Sequence, residues 1–149
     1  MDELSKFLQT QKVIQIAPKS DEPWIANVFM VSENPETIYF IGSQNTRYGK
    51  LLSENGTLAF ATAWHDESDH VDRKGIQGTG KATFTKSEED IAKGVDLHNK
   101  SYPDFAKRIT VDWLNTNESG SGVWVIKPNF IKFWNDELYG QDGSKEFTF

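Results

Sequence analysis

The sequence contains no cysteine. This absence excludes disulfide bonds, thiolate metal sites and a cysteine nucleophile, and it is typical of a protein from a reducing compartment. The sequence also lacks any hydrophobic run close to the ~20 residues of a membrane-spanning helix. Its first residues are acidic rather than basic, unlike those of a secretory signal. A cytoplasmic protein with no membrane partner is therefore expected.

Basic residues are also in deficit, because 16 Lys and Arg stand against 22 Asp and Glu, for a net charge of −6. Proteins that bind nucleic acids rely on many cation–phosphate contacts, so this balance argues against a nucleic-acid partner. One small anion can still be bound, because short-range contacts decide that case. The length of 149 residues predicts a single domain, and 13% aromatic residues predict a folded one.

Apolar runs separated by polar turns predict six or seven strands. The runs are residues 13–17, 24–31, 37–42, 57–63, 74–85, 122–127 and 130–134. The run 24–31 is apolar on both faces, so burial on both faces is expected. Residues 64–72 and 112–121 are expected to be loops, and helices are predicted at 2–11, 47–54 and 88–102. The pattern indicates a small antiparallel barrel with peripheral helices.

Two strands carry small residues in a suggestive arrangement. Ala59, Ala61 and Ala63 share one face of their strand, which would let a flat ligand approach the sheet closely. Simple packing against a helix or a second sheet is the alternative explanation. Glycines at 75, 78 and 80 in the next strand indicate bulges, a barrel corner or a nearby ligand.

The segment 43–50, between a predicted strand and a predicted helix, gathers polar side chains of the kind that bind phosphate. A helix start presents free N–H groups and a partial positive charge. Arg47 and Lys50 would add charge, and the hydroxyls of Ser43 and Thr46 would add donors. The alternative is that Ser43 or Asn45 only caps the helix and that the two cations are solvated.

Other motifs fail on their context. Residues 75–82 have P-loop spacing, but Ala82 replaces the hydroxyl that binds magnesium, and a strand follows instead of a helix. His98 lies in the apolar stripe of the long helix and is expected to be a hydrogen-bonded, half-buried residue. Enough ligands for a metal ion are present at His65, Asp66, Glu67, Asp69, His70 and Asp72, but nothing preorganises them, so a solvated hairpin loop is expected instead of a metal site. With no catalytic motif of its own, an enzyme of this sequence would depend on a cofactor.

Four segments, in this order and spacing, resemble the pyridoxamine-phosphate-oxidase-like flavin-binding split barrels, and especially a small bacterial branch of them. They are residues 23–29 (PWIANVF), 45–48 (NTRY), 75–77 (GIQ) and 131–140 (IKFWNDELYG). The resemblance runs from about residue 13 to residue 147. It implies a mainly β fold, a six-stranded antiparallel split barrel with peripheral helices, that forms a homodimer with FMN at the subunit interface.

The resemblance also implies roles for particular residues. Thr46 and Arg47 match the step that contacts the FMN phosphate, and Gln77 lies on a strand that lines the flavin site. Tyr48 stands where a Lys is common, and Lys50 could compensate for it. The predicted FMN-binding residues are Ser43, Thr46, Arg47, Lys50 and Gln77. The C-terminal basic residues that hold pyridoxamine phosphate in the oxidase are not recognisable, which disfavours a vitamin B6 oxidase.

Three functions remain open at this point. The first is an FMN-dependent oxidoreductase acting on a small molecule, with Trp134 and Tyr139 as walls of the substrate site. For these two aromatics, core packing and surface burial are the alternatives. The second is a non-enzymatic protein that binds a flavin or another flat, anionic ligand. The third is a structural dimer in which segment 43–50 is only a capped helix.

Overall fold

Six strands close into an antiparallel barrel, and a seventh strand extends it. The computed structural model describes the backbone of all 149 residues, and the side chains of residues 1–68 and 71–149. The strand order is β3-β2-β1-β4-β5-β6-β7, and pairing of β3 with β6 closes the barrel. The mainly β barrel predicted from the sequence is confirmed. The strands are β1 Val13–Pro18, β2 Ala26–Asn34, β3 Thr37–Ser43, β4 Thr57–Asp66, β5 Asp69–Phe84, β6 Ser121–Asn135 and β7 Ser144–Thr148.

Strand β6 serves both parts of the sheet. Its first half pairs with β3, with Ile126 opposite Ile38, and its second half pairs with β7, with Phe130 opposite Thr148. The register against β5 shifts at Pro128, whose nitrogen cannot donate to the ladder. The two runs predicted as separate strands, 122–127 and 130–134, are therefore one strand with an irregularity at the proline.

Helices cover the ends and one side of the barrel. They are α1 Asp2–Thr10, α2 Arg47–Glu54, α3 Glu88–Ser101, α4 Val111–Thr116 and α5 Asp136–Tyr139, with a 3-10 turn at Pro103–Phe105. Helix α4 lies where a loop was predicted, and strands β4 and β5 extend through the predicted loop 64–72. In the described part of the chain, no helix is long and apolar enough to cross a membrane.

The barrel interior is the main core, and two helices contribute to it from different ends. Phe7 of α1 packs on Phe133, with 5.3 Å between the ring centres, beside Ile76 of β5. Leu52 of α2 instead lies near Ala82, six residues further along β5. The largest fully buried side chains are Trp124, Phe40, Phe133, Leu4, Leu8, Ile14, Ile16, Met30, Ile38, Leu58, Ile76 and Ile126.

The outer wall of the barrel is covered on one side only. Helix α3 packs Val95 against Val31, Tyr39 and the valines of β6. The other outer side, formed by β1, β4 and β5, is bare: Ala59, Ala63 and Gln77 are exposed there, and Phe29 at its edge is 52% exposed. The expectation that the run 24–31 is buried on both faces is therefore wrong for a single chain. Phe29 meets only Tyr102 at the end of α3, with 5.3 Å between the ring centres, and Ile25 before it is 63% exposed.

His98 lies on the buried face of α3, hydrogen-bonded as predicted but more deeply buried than the half-buried position expected. The residue is only 5% exposed, its Nδ1 lies 3.1 Å from Asn99 Oδ1, and its ring packs on Tyr102 and Phe105. The Tyr102 hydroxyl donates to the backbone oxygen of Met30 at 2.8 Å. Burial lowers the pKa of His98 and raises that of Tyr102 to about 12. Both rings are therefore neutral parts of the packing.

A pH-dependent loss of stability follows from the depressed pKa of His98. Below pH 6.5, the ordinary pKa of histidine, the His98 side chain binds a proton in the unfolded chain but stays neutral in the folded chain. The free energy of unfolding should fall with decreasing pH from there, by up to ~1.4 kcal/mol per pH unit. The variant His98→Gln has no group that titrates at this position, so its free energy of unfolding should depend less on pH in this range. Urea denaturation of both proteins between about pH 7 and pH 5 tests this, and parallel pH curves would contradict it.

Candidate functional site

The turn between β3 and α2 is built by the two hydroxyls that the sequence analysis singled out. Thr46 Oγ1 accepts from the N–H of Gly49 at 3.0 Å and donates to the Ser43 backbone oxygen at 2.8 Å. Ser43 Oγ accepts from the N–H of Asn45 at 3.0 Å and donates to the Ser119 backbone oxygen. Thr46 therefore caps α2, and the expectation that Ser43 or Asn45 would be the cap is wrong. The hydroxyls hold the shape of the turn, and N–H groups at the helix start remain without a helical acceptor.

The start of α2 lies directly against the end of β3. A Cβ added to Gly49 would lie 2.4 Å from the Ser43 oxygen, so only glycine allows this approach. The neighbouring Tyr48 turns inward, where its ring meets that of Phe40 at 6.0 Å and its hydroxyl lies beside Gly42. Burial raises the pKa of Tyr48. Tyr48 thus does not replace the surface Lys that the resemblance leads one to expect.

Arg47 and Lys50 lie on the outer side of the same turn. The Arg47 guanidinium stacks on Trp24, with Cζ 4.1 Å from the ring centre, and its Nη2 lies 3.3 Å from Glu22 Oε2. Lys50 is exposed and forms no ion pair with the described side chains. The structure therefore brings Ser43, Thr46, Arg47 and Lys50 together. The partners Trp24 and Glu22 were missed, because they come from the β1–β2 loop more than twenty residues away in sequence.

Two open pockets flank the β1–β2 loop. One, of about 500 Å³, is lined by residues 17–25, including the apolar side chains of Ala17, Trp24 and Ile25. The other, of about 340 Å³, lies between the loop and α2. It is lined by Lys19, Ser20, Asp21, Glu22, Arg47, Leu51, Glu54 and Asn55. Arg47 lines the polar cavity and stacks on Trp24, which lines the apolar one.

The alanine face of β4 points outward on the bare side of the barrel. Ala59 lies opposite Ala17 and Thr79, and Ala61 lies opposite Gln15 and Gln77. The alternative that a helix of this chain packs on the alanines is wrong for the described structure, because Ala59 and Ala63 are exposed.

Gln77 is exposed on this outer face, between Ala61 of β4 and Lys132 of β6. Within the described chain, no hydrogen bond joins Gln77 to the β3–α2 turn. The predicted flavin-binding residues thus form two groups, the turn and the outer face.

The two aromatic residues predicted for the substrate site lie on different sides of β6. The Trp134 ring covers Gly75 on the outer face, where an added Cβ would lie 2.2 Å from it. Tyr139 of α5 instead packs edge-on against Phe133, whose ring is inside the barrel, at 6.0 Å. They do not form one wall within a single chain. Of the two, only Trp134 shares a face with Gln77.

The fold assigns no phosphate-binding or metal-binding role to the remaining motifs in the described part of the chain. The P-loop-like run 75–82 lies within β5. Among the described residues, no group of three or more His, Cys, Asp or Glu could hold a metal ion. The side chains of Asp69 and His70, two members of the considered cluster, lie outside the described residues.

The different positions of Trp134 and Tyr139 predict different costs of truncation. Tyr139→Ala should lower the free energy of unfolding by ~2–3 kcal/mol, because it exposes Phe133 of the core. Trp134→Ala removes an outward-facing ring and should cost about 1 kcal/mol. Urea denaturation of both variants shows which loss in the free energy of unfolding is larger, and Tyr139→Phe is the control that keeps the ring. A larger loss for Trp134→Ala would show that Trp134 is a core residue.

Similarity to known proteins is detected in the structure but not in the sequence. No protein-family model matches the chain, and no curated protein has a significantly similar sequence. Many solved structures share its fold, and three of them illustrate the range. A heme-binding protein from Mycobacterium smegmatis matches with a TM-score of 0.71 and 17% identity, covering 93% of this chain and 53% of that one.

The second structure is HutZ, the heme storage protein from Vibrio cholerae, with a TM-score of 0.66, 16% identity, and coverage of 99% and 92%. The third is a candidate pyridoxamine 5'-phosphate oxidase from Listeria innocua, with a TM-score of 0.67, 12% identity, and coverage of 89% and 95%. At these identities the similarity concerns the fold, which in these proteins accompanies different activities.

Proposed function

Because this chain has the split-barrel fold of the pyridoxamine 5'-phosphate oxidase-like proteins, as the resemblance implied, we propose that it is an FMN-binding homodimer. We further propose that it is an oxidoreductase that uses FMN to act on a small molecule. One observation carries the proposal. Two cations, Arg47 and Lys50, lie at a tightly built helix start, and Arg47 stacks on Trp24, which lines an apolar pocket.

The phosphate of FMN would bind at the β3–α2 turn. Free N–H groups at the start of α2 and the charges of Arg47 and Lys50 suit a dianion. Ser43 and Thr46 contribute by holding the turn through their own hydrogen bonds, and they become phosphate donors only by exchanging those bonds. FMN is preferred to FAD, because the sequence has no Gly-x-Gly-x-x-Gly unit to hold a second phosphate.

The flavin ring would lie against the outer face. The methyl groups of Ala59 and Ala61 permit close approach, and the Gln77 amide can both donate and accept hydrogen bonds at a ring edge. Bound FMN supplies reversible redox chemistry, so the protein needs no acid or base of its own. The chain's residues bind the cofactor, orient it and exclude water from it.

A second copy of the chain would cover the bare outer side. Phe29, 52% exposed, lies opposite Val13 of β1. Ile25, 63% exposed, lines a pocket with Ala17, which lies opposite Ala59 of β4. An apolar surface of this kind rarely faces water in a stable monomer. A two-fold dimer would bury it and would bring Gln77 of one copy toward the other, completing a site that a single chain leaves in two groups.

The competing function is non-enzymatic binding of a flavin or another flat anion, and two of the similar structures are heme proteins. Heme requires an axial ligand, most often His. Of the three histidines, His98 is buried and packed among aromatic rings, so it could bind heme only if α3 unfolded. His65 is exposed on β4, outside the cationic turn, and the side chain of His70 lies outside the described residues. The cationic helix start suits a phosphate, which favours FMN.

The Arg47→Ala variant tests the phosphate site. It should weaken FMN binding by ~1.5–3 kcal/mol, or roughly 10- to 150-fold, through loss of a charge-assisted hydrogen bond. Quenching of flavin fluorescence measures the affinity. Arg108→Ala is the matched control, since Arg108 also stacks on an aromatic ring, that of Phe105, but lies outside the site. Equal affinities for FMN in the two variants would show that Arg47 does not bind the phosphate.

Light scattering tests the dimer. The protein should have twice the chain mass of 16.9 kDa at micromolar concentration. Phe29→Asp places a charge on the bare face and should shift the mass toward that of a monomer. Val111→Asp, at an exposed position on α4, should leave the dimer intact. A monomeric wild type would overturn the dimer and the shared site with it.

Absorption spectroscopy separates the function classes. Purified protein, before and after addition of FMN, should show flavin bands that NADH or NADPH bleaches within seconds. A bound flavin that neither nucleotide reduces would favour a binding protein. A Soret band in place of the flavin bands would favour a heme-binding protein. If the protein binds neither flavin nor heme, a purely structural dimer is the remaining function.

A further inference from the structure

The guanidinium of Arg47 has an anionic partner within the chain. Glu22 of the β1–β2 loop meets it through one oxygen, at 3.3 Å from Nη2. Trp24, two residues along the same loop, holds the face of the guanidinium at 4.1 Å. The loop therefore makes two different contacts with one side chain, and only the contact from Glu22 uses an N–H group that a phosphate would need.

We propose that Glu22 competes with ligands for Arg47, so that an anion binds there only if Arg47 attracts it more strongly than it attracts the Glu22 carboxylate. This inference rests on the proposed function, because it takes Arg47 as the phosphate-binding residue. Glu22 is a specificity-determining residue in this scheme, and Trp24 is a positioning residue. A ligand phosphate replaces the Glu22 carboxylate at the N–H edge, while Trp24 keeps the guanidinium in place from its face.

The geometry makes Glu22 displaceable. Its side chain is 84% exposed, its contact is single rather than bidentate, and it lies at the long end of the hydrogen-bond range. Exposed pairs of this kind shift an equilibrium only severalfold. A phosphate dianion offers more charge and more acceptor oxygens than Glu22, whereas a monocarboxylate offers no more than Glu22 already does.

The surrounding charges leave Arg47 as the group that must attract the ligand. The polar pocket beside Arg47 also contains Asp21 and Glu54, and Lys19 is its other cation. Three carboxylates and two cations face one cavity, so the cavity as a whole does not attract anions, and binding depends on the contacts that the ligand makes with Arg47 in place of Glu22. The stacking of Trp24 prevents Arg47 from turning away when Glu22 leaves, because the cation–π contact does not depend on the carboxylate.

The test compares Glu22→Gln with Asp21→Asn, its matched control, which removes the same charge from the same pocket without touching Arg47. Affinities for FMN and for riboflavin, which has no phosphate, are measured by fluorescence at low ionic strength. Glu22→Gln should bind FMN about two- to sixfold more tightly than wild type, with riboflavin unchanged. Asp21→Asn should gain clearly less affinity for FMN than Glu22→Gln does. Raising the salt concentration should reduce the gain.

Two results would overturn the proposal: an equal gain for FMN in both variants, or an equal gain for riboflavin in Glu22→Gln. A titration with inorganic phosphate keeps this test separate from the proposed function. It follows the Arg47 side-chain N–H resonance, assigned with Arg47→Ala. If the wild type fails to bind FMN, the FMN proposal fails. The inference about Glu22 then stands only if phosphate shifts this resonance at lower concentration in Glu22→Gln than in Asp21→Asn, and falls otherwise.

Discussion

Pairing between β3 and β6 is the interaction on which both the barrel and the candidate site depend. It closes the sheet, and it also determines where β3 ends, because Gly42 and Ser43 lie opposite Gly122 and Ser121. The segment before β6 continues this contact, since the N–H of Gln44 donates to the Gly120 oxygen at 3.0 Å. The turn that starts α2 is thus held by the same ladder that closes the barrel, and its hydrogen-bonding groups are ordered before any ligand binds.

Local charge at this turn matters more than the charge of the whole chain. The net charge of −6 repels anions at long range, but at ionic contact the nearest groups dominate. Arg47 is placed by two residues of the β1–β2 loop, one of which attracts its charge and one of which holds its face. A protein with few basic residues can therefore bind one small anion selectively without binding acidic polymers.

Uneven coverage of the barrel connects the fold to its proposed assembly. Helix α3 shields the side formed by β2, β3 and β6. The side formed by β1, β4 and β5 carries alanines, Gln77 and exposed apolar residues. Small side chains there produce a flat surface against which a ring or a second sheet can lie closely. In the proposed assembly, the flavin ring and the dimer contact therefore share one wall of the barrel.

The amino-acid sequence by itself determined the elements whose signals are local. Apolar runs marked the strands, and the apolar stripe that contains His98 marked the buried face of α3. The start of α2 was also marked, although its cap is Thr46 and not Ser43 or Asn45. Short or interrupted elements escaped, as with α4, β7 and the continuity of β6 through Pro128, because their stability comes from neighbouring strands rather than from their own residues.

Only the tertiary structure decided which of these residues meet. The stacking of Trp24 on Arg47, the pairing of Glu22 with it, and the separation of Trp134 from Tyr139 across β6 all depend on how distant segments are brought together. The exposure of Phe29 likewise depends on how far α3 extends over the barrel. Hydrophobic periodicity states that a face is apolar, but what covers that face is settled by packing between elements far apart in the chain.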